Sequence, residues 1–139
     1  MIRITDLLHA SLLVADLPKA RAFYEGVLSL TPDASRPVMS FEGVWYAIGT
    51  GAIHLICLPN PDPILGRPEH GGRDRHVALG VAGWSELRAR LDAQGIPYTL
   101  SRSGRPALFV RDPDGNVLEL IEAAQDQALD QAEKGSGHG

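Results

Sequence analysis

A β-α-β-β-β order that occurs twice marks this chain as α+β, and three features of the sequence imply it. Residues 7–14 and 75–81 are two strand-like stretches, each running directly into a helical one. His9-x-x-Leu12-x-Val14-Ala15 and His76-x-x-Leu79-x-Val81-Ala82 share the pattern His-x-x-Leu-x-Val-Ala, an internal repeat. The closing strands, Ile53-His-Leu-Ile56 and Leu118-Glu-Leu-Ile121, match as well, so His54 and Glu119 hold equivalent positions.

The first strand, Leu7 to Val14, stops at Ala15-Asp-Leu-Pro18, where Asp16 can cap a helix and Pro18 suits its first turn. Ala20, Phe23, Tyr24, Val27 and Leu28 recur at three- and four-residue spacing, which makes one buried helical stripe ending near Ser29 to Pro32. Three short strands are then expected, at about Val38 to Phe41, Val44 to Ile48 and Ala52 to Leu58. They are separated by Glu42-Gly43 and Gly49-Thr-Gly51, which have hairpin chemistry. Pro59 to Gly72 is rich in Pro and Gly and lacks periodicity, as a linker or lid does.

The order then repeats. A strand from Arg75 to Val81 leads to a helix from about Trp84 to Gln94, apolar at Trp84, Leu87 and Leu91 and stopped by Gly95. Strands follow at Tyr98 to Arg102, Ala107 to Val110 and Val117 to Ile121, the last entered through the turn Asp112-Pro-Asp-Gly115. The resulting domain spans residues 1–124, with module 1 at about 7–58, a linker at about 59–74 and module 2 at about 75–122. Residues 125–139 are polar and read as a disordered tail, in which His138 has no ligand role.

With 139 residues, 44% hydrophobic and 22% charged, the composition is that of an ordinary soluble globular protein. A net charge of -4 with scattered Lys and Arg gives no electrostatic footprint for nucleic acid or an anionic membrane, so a small molecule is the expected partner. No apolar run approaches the roughly 20 residues of a membrane span, and the start lacks the apolar core of a signal peptide. A cytoplasmic location follows, and the single cysteine, Cys57, fits a reducing compartment and the role of core filler.

Within the last strand Glu119 shares a face with Val117 and Ile121. A carboxylate there is costly unless it is protonated, paired with a cation or bound to a metal. His9, with Ser11 and Leu13, His54, with Ile56 and Leu58, and His76, with Ala78 and Gly80, likewise sit among apolar or small neighbours on their strand faces. Any one of them alone is better explained as a satisfied core or rim residue. Four at repeat-related positions point to a metal site, and three imidazoles with one carboxylate suit Zn, Ni, Co, Mn or Fe(II). His70, in the Pro- and Gly-rich segment, is expected to be solvent-exposed.

His9 before Val-Ala-Asp-Leu, Ala22-Phe-Tyr24 with Val27-Leu28, His76-Val-Ala-Leu, and Asp112-Pro-Asp-Gly-Asn-Val-Leu-Glu119 together resemble the vicinal oxygen chelate superfamily over residues 7–122. That superfamily includes glyoxalase I, fosfomycin-resistance transferases, methylmalonyl-CoA epimerase, extradiol dioxygenases and bleomycin-resistance proteins. The resemblance implies two βαβββ modules whose mixed sheets curl around a central cup holding one divalent metal ion. It places the ligands at His9, His54, His76 and Glu119. It also implies a metal that stabilises negative oxygen on a substrate chelated through two neighbouring oxygens, and a homodimer.

In glyoxalase I the position matching His54 is usually a glutamate, which leaves Glu119 as the only carboxylate able to serve as base. The expected function is a metal-dependent glyoxalase-type lyase or isomerase acting on a small oxygen-rich substrate. The alternatives are an extradiol-type dioxygenase, a fosfomycin-type thiol transferase and a non-catalytic small-molecule binding or resistance protein. Ser11, Trp45, Arg102, Arg105 and Phe109 are the candidates for substrate binding, with Phe41 and Tyr46 also near the cup. Arg111, before the Asp112 turn, is expected to be a solvated strand end.

Overall fold

The computed structural model describes residues 1–124, so the expected tail at 125–139 and His138 lie outside the described residues. The chain divides into two compact units, Met1–Leu65 and one beginning at Gly66, so the boundary falls inside the expected linker and residues 66–74 belong to the second unit. Mixed sheets of three and four strands make up the architecture, with few helices, as an α+β fold requires.

The first unit starts with β1 (His9–Leu13) and continues into α1 (Leu17–Arg21). Asp16 caps this helix by accepting a hydrogen bond from the Lys19 amide at 3.0 Å, and Pro18 sits in the first turn, where its missing N–H costs nothing. The helix then widens into a π-helical segment, Ala22–Val27, in which the Leu28 amide reaches the Phe23 carbonyl at 3.1 Å. Ala20, Phe23, Tyr24 and Val27 are buried, as the stripe implies.

Strands β2 (Gly43–Ile48) and β3 (Gly51–Ile56) complete a sheet of order β1-β3-β2, with β1 parallel and β2 antiparallel to β3. The strand expected at Val38 to Phe41 does not form, and Val38 is 100% exposed. The neighbour of β2 is instead a single bridge from Pro32 to Tyr46, continued by the Asp33 amide on the Trp45 carbonyl at 2.7 Å. A ladder cannot grow there: Pro32 has no N–H to donate, and the Asp33 side chain turns the chain by accepting from the Ser35 amide.

The second unit opens with a 3-10 turn, Gly71–Arg73, and continues through β4 (His76–Val81), α2 (Trp84–Ala93), β5 (Tyr98–Leu100), β6 (Ala107–Arg111) and β7 (Val117–Glu122). Helix α2 buries Trp84, Leu87 and Leu91. It ends as Gly95 predicts: Gly95 adopts a φ of 65°, its amide reaches the Asp92 carbonyl, and the Ile96 amide reaches that of Leu91. The sheet order is β4-β7-β6-β5, with β4 parallel to β7 and the other pairs antiparallel.

The two sheets repeat one another in register as well as in order. His9 pairs with Ala52, two residues before His54, and His76 pairs with Val117, two residues before Glu119. Ser11 faces His54 as Ala78 faces Glu119, and Trp45 faces His54 as Phe109 faces Glu119.

Two outcomes follow from this packing. Leu118 is fully buried, so Leu118→Ala should cost about 2–4 kcal/mol in denaturant unfolding, whereas Val38→Ser should stay within about 0.5 kcal/mol. Glu25 accepts from Arg21 and from the Tyr46 hydroxyl at 2.8 Å, and these contacts, Arg21 foremost, hold its carboxyl below its ordinary value of about 4.5. Its contribution to stability is therefore present above about pH 4.5 and lost as the pH falls below that. Glu25→Gln should flatten the dependence of Tm on pH in that acid range, and an unchanged slope would contradict the assignment.

Candidate metal and substrate site

Strand alternation puts His9, Ser11, Trp45 and His54 on one face of the first unit, because residues opposite one another across a ladder share a face. The His54 ring lies between two others: Trp45 at a centroid distance of 4.2 Å and an angle of 9°, and His9 at 4.0 Å and 19°. Burial, reinforced by the charges of His9 and Arg36 and opposed by Asp33, lowers the His54 pKa below its ordinary value. The neutral imidazole, the form that can donate a lone pair to a metal, is thereby favoured.

In the second unit the corresponding face carries His76, Phe109 and Glu119. The Glu119 side chain is 7% exposed and meets two cationic or potentially cationic groups. Arg105 Nη2 donates to Oε1 at 3.1 Å, and His76 Nε2 stands 3.9 Å from Oε2, too far for a hydrogen bond. Arg105, expected at the substrate, thus pairs with the candidate base. The other ring nitrogen, His76 Nδ1, lies 2.8 Å from the Asp74 carbonyl. A carbonyl only accepts, so Nδ1 carries the hydrogen, and in the neutral ring the Nε2 lone pair is free.

Phe109 is buried between His76 and His70, with ring centroids 5.2 and 5.3 Å away. Gly71 and Gly72 let the chain approach this ring closely: a Cβ on Gly71 would stand 2.8 Å from both Phe109 Cβ and Val117 Cγ1. His70 corrects the sequence expectation, being part-buried rather than solvent-exposed. Its Nδ1 accepts from the Gly72 amide at 3.0 Å, so Nε2 is the nitrogen that donates to the Leu100 carbonyl, 3.3 Å away.

Beside it lies a cavity of about 350 Å³ lined by Pro68, Glu69, His70, Arg73, Thr99 and Arg102. Among the described residues Arg73 and Arg102 have no ion-pair partner, and the Thr99 hydroxyl is buried without a hydrogen bond. Thr99 pairs with Phe109, which pairs with Glu119, so the three share one sheet face.

Tyr46 is a core residue, fully buried and stacked on Tyr24 at 5.9 Å, while Phe41 accepts Arg36 Nη2 through its carbonyl. Arg111 is no solvated strand end: it donates to Asp74 Oδ2 at 2.9 Å, to the Gly115 carbonyl at 2.7 Å and to the Pro68 carbonyl. The Asp74 carboxylate is the feature that sequence reasoning missed, because nothing in the local pattern sets it apart from other loop aspartates. Each unit therefore brings together two of the four expected ligands. Among the described residues no group of three or more His, Cys, Asp or Glu side chains is poised to hold a metal ion.

A model of the Glyoxalase/Bleomycin resistance protein/Dioxygenase superfamily matches residues 6–120. The chain belongs to this superfamily. It is 30% identical to "Glyoxylase I 4" of Arabidopsis thaliana over 125 residues, covering 86% of this chain and 71% of that protein. It is 29% identical to lactoylglutathione lyase of Salmonella typhimurium over 124 residues, covering 84% and 92%. These relatives are named as enzymes, and this chain is an enzyme of the superfamily. A variant of the fosfomycin resistance protein FosX from Listeria monocytogenes, solved with Mn(II) and 1S,2S-dihydroxypropylphosphonic acid, shares the fold. The TM-score is 0.64 at 21% identity, with 92% of this chain and 99% of that one covered.

The close approach at Gly71 is directly testable. Gly71→Ala should destabilise the protein by about 1–3 kcal/mol through overpacking against Phe109 and Val117, whereas Gly66→Ala, with open space at its Cβ, carries only the cost of a positive φ. Equal losses in thermal unfolding would refute the steric account.

Proposed function

We propose that the enzyme is a divalent-metal-dependent lyase or isomerase of glyoxalase type, acting on a small oxygen-rich substrate, with His9, His54, His76 and Glu119 as the metal ligands. The observation that carries this reading is the register repeat, which gives His9 with His54 and His76 with Glu119 the same spacing on two matched sheets. The donor chemistry fits a divalent ion: burial favours the neutral form of His54, the Asp74 carbonyl on His76 Nδ1 leaves Nε2 as that ring's coordinating nitrogen, and Arg105 on Oε1 leaves Glu119 Oε2 as the donor facing His76. Since each unit supplies two ligands, the complete set requires one unit of each kind, from this chain or from a second copy. We take the protein to be a cytoplasmic homodimer.

A divalent metal bound there would polarise two neighbouring substrate oxygens as a Lewis acid. Glu119 would be the base: its Oε2, displaced as a ligand when substrate binds, takes the proton from the carbon next to the polarised carbonyl and returns it to the adjacent carbon, while the hydroxyl proton passes to the neighbouring oxygen. Arg105 keeps Oε1 occupied, which fixes the oxygen that moves the proton. Ser11, beside His54 in register, orients a substrate oxygen, while Trp45 and Phe109 shield the reacting carbons from water. Arg102, with Arg73 and the unpartnered Thr99 hydroxyl, holds an anionic group of the substrate in the cavity beside Phe109.

Elemental analysis should find about one divalent ion per four-ligand set in wild type and much less in His54→Ala. Glu119→Gln should abolish turnover of hemithioacetals and related hydroxy-carbonyl compounds while leaving the fold intact, and full activity in metal-free protein would end the proposal. Arg102→Ala should raise KM for anionic substrates roughly 10-fold, with little change for neutral ones. Oxygen uptake by Fe(II)-loaded protein with a catechol would instead favour ring cleavage.

A further inference from the structure

His76 is oriented from a loop, and that loop is held by a charge cluster which never touches the imidazole. The Asp74 side chain is 6% exposed and fully occupied. Oδ1 accepts from Arg67 Nη2 at 2.6 Å and from the Arg75 amide at 2.8 Å, and Oδ2 accepts from Arg67 Nε at 3.0 Å and Arg111 Nη1 at 2.9 Å. Arg67 thereby grips the carboxylate with both tines of its fork. Arg111, at the end of β6, is itself fixed by the carbonyls of Gly115 and Pro68, which tie the loop to the sheet. On the backbone side, the Asp74 amide donates to the Gly71 carbonyl at 3.1 Å and closes the 3-10 turn. Asp74 is thus held at its carboxylate and its amide, and its remaining group, the carbonyl, accepts from His76 Nδ1 at 2.8 Å.

We propose that Asp74, gripped by Arg67 and Arg111, is a positioning residue for His76: it holds its own carbonyl on Nδ1, which orients the ring with Nε2 toward Glu119 and selects, of the two neutral tautomers, the one with hydrogen on Nδ1. This inference rests on the reading of His76 as a metal ligand. A neutral imidazole has two tautomers, and only the one with hydrogen on Nδ1 leaves Nε2 free to coordinate. The buried, doubly gripped Asp74 makes this preference a property of the metal-free fold. A short side chain in the same loop, without the two arginines, would leave the carbonyl free to move and the tautomer ratio unconstrained.

The test uses the full-length, metal-free protein, with the imidazole nitrogens observed by long-range proton–nitrogen NMR and the His76 signals assigned by their loss in His76→Gln. Wild type should show His76 as the Nδ1–H tautomer. In Asp74→Asn and Arg111→Lys, which keep size or charge but weaken the grip, both tautomers should appear, and Zn(II) affinity by calorimetry should fall 10–100-fold. If Asp74→Asn does not fold, Arg111→Lys carries the test, since a single ammonium cannot reach Asp74, Gly115 and Pro68 together.

A purely structural salt bridge would lower Tm in these variants but leave the tautomer and the Zn(II) affinity unchanged, and that result, or a wild-type Nε2–H tautomer, overturns the proposal. Loss of the tautomer preference in a protein that binds no Zn(II) even as wild type supports the clamp and removes the metal reading. Normal Zn(II) binding with an unmoved tautomer does the reverse.

Discussion

Parallel pairing of the first and last strand in each unit is the constraint on which the rest depends. A parallel pair cannot be closed by a tight turn, so a helix and the intervening strands must come between its members. The two residues that the pair brings together are therefore far apart in sequence, as His9 and His54 are, and His76 and Glu119. The central strands β3 and β7 then have neighbours on both sides, which places Trp45 against His54 and Phe109 beside Glu119. The chemistry-bearing face of each sheet follows from this one topological choice.

A carboxylate removed from water has to find compensation, and Glu119 does so asymmetrically. One oxygen is engaged by Arg105, whose side chain is 55% exposed, while the other stands 3.9 Å from His76 Nε2. With Oε1 taken by Arg105, Oε2 is the oxygen left to act as a donor. Asp74 differs: its partners, Arg67 first, hold its carboxyl well below the usual range, and none of its acceptor positions is left for chemistry. The loop carboxylate gives rigidity, and the strand carboxylate keeps a free donor.

Much of this was legible in the residues. The His-x-x-Leu-x-Val-Ala repeat located β1 and β4, Asp16 with Pro18 and Gly95 located helix ends, and alternation on the last strand singled out Glu119, because these signals are local and periodic. The missing strand at Val38 to Phe41 was misread because β propensity says nothing about a partner: the edge of β2 was already taken by Pro32 and Asp33. His70, Asp74 and Arg111 were misjudged or passed over for a related reason. Their contacts span 30 residues for His70 with Leu100 and 37 for Asp74 with Arg111, and no short-range pattern encodes such pairs.

The stack of Trp45 on His54 has an optical consequence. An indole in face-to-face contact with an imidazole emits according to that ring's charge and ligation, because a cationic or metal-bound imidazole draws electron density from the excited indole. The chain has two tryptophans, and the other, Trp84, lies buried in helix α2 of the second unit. In a Trp84→Phe background the remaining fluorescence would come from the residue that touches His54, so the first unit carries its own reporter of what that histidine binds.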